Sequence, residues 1–288
     1  MDLFLQQVSN GIMGGFIYAL VALGLTMVYG VMDNPDFAMG HKGMIGAYIA
    51  FFAITGLGVG FWFGLVAGVL STFILGWLLY QVMYRHIENG PHADAFIVAF
   101  GLTFVLENFA LKAWGFTYRQ ISVPYLEQSI SIFGVKFTLL RLVIIAVALI
   151  LLMALTLMIK KTKMGKAIRA VSQSKEGAAL IGVDVYKISA FTMSLGSALA
   201  AVAAVLYAPI SMVYAAMGTT LIIKALVVVV VGGMGNIPGA VVGGLILGLL
   251  ESMSGAYISA AYKDVFTFAI LMIILVISPQ GVLRKVGH

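Results

Sequence analysis

The chain has 288 residues, of which 62% are hydrophobic and 10% charged, and its mean hydropathy is +1.08. Water-soluble domains carry about 45–50% apolar and about 25% charged residues, so a soluble globular fold is excluded and the chain belongs in a bilayer. The net charge is +6 and there is no cysteine, which excludes a disulfide framework, thiol catalysis and cysteine-based metal sites.

A membrane-spanning helix needs roughly 20 apolar residues. In chain order, full-length candidates cover 10–31, 60–83, 95–114, 138–159, 188–213 and 264–280, and a Gly-rich one covers 236–256. Two runs, 43–56 and 221–233, are too short to be complete. The reading is an all-α polytopic membrane protein with about 8–9 transmembrane helices, forming a single transmembrane domain over 1–288. The first 30 residues lack a basic stretch and a cleavage site, so 10–31 is read as a retained span rather than a signal peptide.

Seven of the 17 Lys and Arg lie between Lys160 and Lys187. That segment cannot cross a bilayer, because each central charge costs about 2.5–3.5 kcal/mol on insertion scales. The positive-inside rule places it in the cytoplasm. Parity then puts 84–94 and the tail Arg284–His288 on the same side, and 115–137 and the N-terminus outside. The charges alternate with an apolar stripe, which argues against nucleic acid.

An internal repeat sets 11–32 against 196–217, with six of 22 positions identical, including Met27-Val28-Tyr29 against Met212-Val213-Tyr214. The two copies run in opposite directions, so the repeat is inverted: about 10–114, then the loop 160–187, then about 188–280. Short or Gly-interrupted segments at matching places in inverted repeats point to a substrate path. Here they are 33–58 and 218–240, with Asp36, Phe37, Met39, His41, Gly56, Gly58, Gly233, Gly235 and Asn236 as candidate path residues. The glycines have a second reading, close helix packing. Asp33, Asp36, His41 and Lys42 cluster within ten residues after the first span; as metal ligands they lack a recognised spacing, and they are path, gate or juxtamembrane groups. Lys224 and Glu251 lie in adjacent apolar segments, where ionisable residues face a cavity or each other, and form a candidate ion pair. Glu107 reaches the outer interface, and His86 and His92 are read as solvated.

Within the basic loop, Ser174 is placed to cap a short helix with Glu176 in its first turn. Gly177 and the apolar run Ala178-Ala179-Leu180-Ile181 follow, and Gly182 ends it. Such a helix has no core of its own and must dock, on the membrane domain or on a partner. No zinc-protease or nucleophile-elbow signature is present and there is no Walker A motif, so no catalytic residue is assigned and the chain is not read as an enzyme.

Glu176-Gly177-Ala178-Ala179-Leu180-Ile181-Gly182 resembles the Glu-Ala-Ala-x-x-x-Gly motif of bacterial ABC importer permeases, with Gly177 in place of the first Ala. Gly165-Lys166-Ala167-Ile168-Arg169-Ala170-Val171, Gly232-Gly233-Met234-Gly235-Asn236-Ile237-Pro238-Gly239-Ala240 and Ser278-Pro279-Gln280-Gly281 resemble the branched-chain amino acid permease family more specifically. Where that family usually reads Asn-Phe-Ala-His-Gly, this chain has Asp36-Phe37-Ala38-Met39-Gly40, with His41 displaced.

The resemblance implies a multi-pass permease subunit of the bacterial inner membrane, working with a second homologous permease, two cytoplasmic ATP-binding subunits and an extracytoplasmic solute-binding protein. Residues 174–182 would be the helix seated in an ATPase. The chain itself needs no cofactor, ATP and Mg residing on the ATPases. The cargo would be branched-chain amino acids or related small polar solutes. The alternative is a stand-alone facilitator channel for a small solute such as urea or short amides, which would not need the loop helix.

Overall fold

The computed structural model describes residues 2–88, 90–123, 128–132, 135–259 and 262–277. Each of the nine apolar runs falls largely on a helix, the last as far as Ile277 where the described residues end. In chain order the helices are α1 (Asp2–Met32), α2 (Met39–Gly56), α3 (Phe61–Ile87), α4 (His92–Trp114), α5 (Leu139–Lys161), α6 (Lys163–Gln173), α7 (Lys175–Leu180), α8 (Val185–Ser211), α9 (Met217–Gly232), α10 (Ile237–Tyr257) and α11 (Lys263–Ile277). Six of them, α1, α3, α4, α5, α8 and α10, are long and apolar enough to cross a membrane. Helix α9 is shorter, and α2 opens on His41-Lys42. An antiparallel hairpin, β1 (Ser129–Ile132) with β2 (Val135–Thr138), interrupts the loop before α5 and pairs Ser129 with Thr138. The Ser278–Gly281 motif and the tail lie outside the described residues.

Helices α1 and α8 are buried along most of their length and form the centre. They cross at two glycines. A Cβ on Gly24 would lie 2.6 Å from the Gly196 carbonyl oxygen, and one on Gly196 would lie 2.9 Å from that of Gly24. Helix α10 packs antiparallel on α1 through Gly244 and Gly248 against Gly15 and Gly11, where a Cβ on Gly15 would meet the Gly244 oxygen at 2.8 Å. Lipid tails are as apolar as leucine, so helices in a membrane associate through small residues that let backbones approach. On α3, α4 and α5 the outward faces are large and apolar. Phe63 (74% exposed), Phe104 (63%) and Met153 (68%) suit hydrocarbon, not water.

The ends of the bundle are distinct. At one end the close of α1, the α3–α4 turn and α7 meet. Lys175 Nζ donates to the Met32 carbonyl at 3.2 Å, and His92 Nδ1 lies 2.9 Å from Asn34 Oδ1. At the other, Arg119 and Val213 exchange backbone hydrogen bonds of 2.9 and 2.7 Å, and Ser252 donates to the Gln7 carbonyl at 2.7 Å. Ala-Met-Gly opens both α2 and α9, at 38–40 and 216–218. The register differs from that of the sequence alignment. Met27-Val28-Tyr29 lies within α1, whereas Met212-Val213-Tyr214 follows the end of α8, because Met212 turns to φ +67° and Val213 pairs with Arg119.

Candidate functional site

The interruption between α1 and α2 has local causes. Pro35 disfavours the helical region for Asn34. Asp33 takes φ +59°, a left-handed conformation that Asp tolerates better than most residues. Asp36 then folds its side chain back to accept from the Ala38 amide at 3.0 Å. Helix α2 resumes at Met39, already inside the bundle. Met193, which Lys42 Nζ contacts at 3.0 Å, lies about 12 Å along α8 from Val185 at 1.5 Å per residue.

Two polar groups line this break. In the first, Asp36 and Lys42 form an ion pair and are 1% and 0% exposed. The Tyr84 hydroxyl donates to the second Asp36 oxygen at 2.8 Å, and the Lys42 ammonium lies 5.4 Å from the Tyr84 ring centre. In the second, His41 Nε2 sits 3.3 Å from both Glu107 Oε2 and Thr219 Oγ1, while its Nδ1 is buried with no hydrogen-bond partner among the described residues. His41 thereby joins α2, α4 and the start of α9. Phe37 stacks on Phe100 with centroids 4.4 Å apart, and the Met39 methyl lies against Gly196 at the α1–α8 crossing.

Gly56 and Gly58 belong elsewhere. Gly56 ends α2 and Gly58 lies in the exposed turn that follows, about 25 Å along that helix from Met39, so the structure does not bring them to the Asp36 group. Gly233, Gly235 and Asn236 form the tight turn between α9 and α10, with Asn236 Oδ1 accepting from the Gly239 amide at 3.3 Å as the cap of α10. Glu107 is not merely interfacial; it is tied to His41. His92 is exposed, as read, yet holds Asn34.

Lys224 and Glu251 do pair, at 2.5 Å. Lys224 also reaches Asp264 at 3.3 Å and the Tyr18 hydroxyl at 3.2 Å, and Lys263 lies 3.1 Å from Glu251. Two cations and two carboxylates therefore balance where α1, α9, α10 and α11 meet. A cavity of about 340 Å³ opens beside them, lined by Asn10, Tyr18, Tyr207 and Ser252 among others.

The loop helix forms where its residues place it. Ser174 Oγ accepts from the Gly177 amide at 3.0 Å, Glu176 lies in the first turn, and Gly182 takes φ +84°, which glycine adopts without strain. Ala178 is buried and anchors the helix, while Leu180 is 88% and Ile181 75% exposed. Helix α6 leads into it, capped by Thr162, whose hydroxyl accepts from the Gly165 amide at 3.0 Å. Beyond α7, Asp184 caps α8, and the neighbouring Lys187 holds its carboxyl below the usual carboxylate range.

One buried group in this region escapes sequence reading. Glu88, 8% exposed, accepts from the Tyr80 hydroxyl and from Ser189 Oγ at 2.7 Å, and lies 3.3 Å from Lys175 Nζ. Its only sequence signal is a lone carboxylate in a turn otherwise rich in His and Gly. Among the described residues no group of three or more His, Asp or Glu is placed to hold a metal.

Residues 7–275 match the model of the branched-chain amino acid transport system permease component family. The chain belongs to this family. It is 37% identical, over 98% of its length and 96% of the relative's, to the high-affinity branched-chain amino acid transport system permease protein LivH of Salmonella typhimurium. It is 34% identical to the corresponding protein BraD of Pseudomonas aeruginosa, again over 98% and 96% of the two chains. Its fold is that of a chain of PsaBC from Streptococcus pneumoniae solved in complex with Fab, with a TM-score of 0.51 at 14% identity over 96% of this chain and 92% of that one. This family member is thus a multi-pass transport permease and not an enzyme, and nothing in the comparisons supports a stand-alone channel.

Proposed function

We propose that this permease is one of two membrane subunits of a bacterial inner-membrane importer for branched-chain amino acids or related small solutes. Two cytoplasmic ATPases drive it, holding ATP and Mg, and an extracytoplasmic binding protein supplies the cargo. The observation that carries the reading is α7. It is a helix of six residues, fixed at both ends by a cap and a glycine turn, that leaves Leu180 and Ile181 almost fully exposed. Two such side chains at a basic end of the bundle cost solvation unless a partner covers them. Seated in a groove of an ATPase, α7 acts as a rigid lever. ATPase closure moves it and switches access to the break lined by Asp36, Phe37, Met39 and His41.

The experiment is purification in mild detergent from the native membrane, followed by uptake into proteoliposomes. A second permease and two Walker-motif ATPases are expected to accompany the chain. Gly182→Trp and Glu176→Lys are expected to abolish uptake while the protein still inserts. Recovery of the chain alone, or wild-type uptake in both variants, defeats the reading.

A further inference from the structure

Helix α7 is held to the bundle by a polar tie at its first residue as well as by Ala178. Lys175 Nζ lies 3.3 Å from Glu88 Oε1 and donates to the Met32 carbonyl at 3.2 Å. Met32 is the last residue of α1 and directly precedes the left-handed Asp33. Glu88 in turn accepts from Tyr80, the first residue of a π-helical turn spanning Tyr80–Tyr84 within α3. Tyr84, the last residue of that turn, donates to Asp36. One lysine therefore touches both flanks of the α1–α2 break: directly at Met32, and through Glu88 and the π-turn at Asp36. A π-turn carries an extra residue relative to the α-helix around it, and such turns are frequent at functional sites. The two tyrosines that bound this turn hold Glu88 at one end and Asp36 at the other.

We infer that Lys175 and Glu88 are a positioning pair that transmits the displacement of α7, through the Tyr80–Tyr84 turn, to the Asp36–Lys42 pair at the break. The inference rests on the reading of α7 as the ATPase-docking helix. A purely structural account is also available: a lysine neutralising the carbonyl end of α1. That account predicts lost stability but an unchanged ratio of solute moved to ATP hydrolysed. The two accounts separate in the purified complex with its ATPases, reconstituted in proteoliposomes, with uptake and ATP hydrolysis measured together.

Lys175→Met and Tyr84→Phe are each expected to keep the ATPases bound and hydrolysing while uptake per ATP falls below one third of wild type. Lys175→Arg, which restores the cation, should stay above one third. Because both residues act in one chain of contacts, the double variant should fall less than threefold below the worse single one. A Lys175→Met ratio above one third, equal loss in Lys175→Arg, or losses that multiply in the double variant each overturn the relay. Absence of ATPases from the wild-type complex overturns the docking reading, and the relay with it. Bound, hydrolysing ATPases with an unchanged ratio overturn the relay alone.

Discussion

A buried charge is safe only while its partner is present, and the two ion-pair groups differ in how many partners they have. Lys42 has one carboxylate, Asp36, and both are sealed from solvent. Lys42→Met leaves that carboxylate, among the described residues, with the Tyr84 hydroxyl and the Ala38 amide, and breaking a buried pair from one side costs about 3–5 kcal/mol. Thermal unfolding of the detergent-purified protein should show that loss, with most of it recovered in Lys42→Met/Asp36→Asn. Glu251→Gln should cost less than Lys42→Met in the same assay, because Lys224 keeps Asp264 and the Tyr18 hydroxyl. Sequence reading found Lys224 and Glu251, since a lone charge in an apolar run needs a partner. It left Asp36 and Lys42 among several meanings, because six residues apart at the end of a span they are indistinguishable from interfacial charges. Glu88 went unnoticed for the same reason.

Helices form here by local rules and pack by non-local ones. The cap of α7 is local, and Ser174→Ala should cost about 1 kcal/mol of helix stability, read as faster amide exchange over 175–180. Asp184 caps α8 in the same way. Its lowered carboxyl affinity for protons means the cap contributes above the unfolded-state pKa of about 3.9 and is lost as pH falls through the lower folded value. Asp184→Asn should therefore alter exchange at the start of α8 at neutral pH, and the difference should vanish once the pH lies below the lowered folded value. Packing is another matter. Gly11-x-x-x-Gly15 and Gly244-x-x-x-Gly248 are visible as spacings, yet only the fold shows that they face each other and that Gly24 faces Gly196. Gly24→Leu or Gly15→Leu forces backbones apart and should destabilise by at least about 1–3 kcal/mol, measured by the same unfolding assay. The glycines flanking α2 and α9 are placed by the fold as well. Gly56 and Gly58 close α2 and the turn after it, away from the interruption between α1 and α2, which Asn34-Pro35 and Asp36 build.

For the whole molecule, sidedness is the property to test first. The absence of native cysteine makes single-cysteine labelling clean. Ser172→Cys, exposed at the loop-helix end, should react only from the cytoplasm, and Tyr118→Cys, in the segment before β1, only from outside. Labelling from the same side would break the arrangement. By itself the sequence determined that this is a membrane protein, where its helices run, and that a capped helix with an apolar face stands in its basic loop. Each of these follows from transfer free energies and capping over windows of twenty residues or fewer. Only the tertiary structure decided which glycines touch, that Asp36 finds Tyr84 and Lys42, and that Glu88 gathers Tyr80, Ser189 and Lys175. Those meetings join residues up to more than two hundred positions apart, as Gly11 and Gly248 are, and a polar side chain that will be buried with partners has the same identity in the sequence as one that will stay in water.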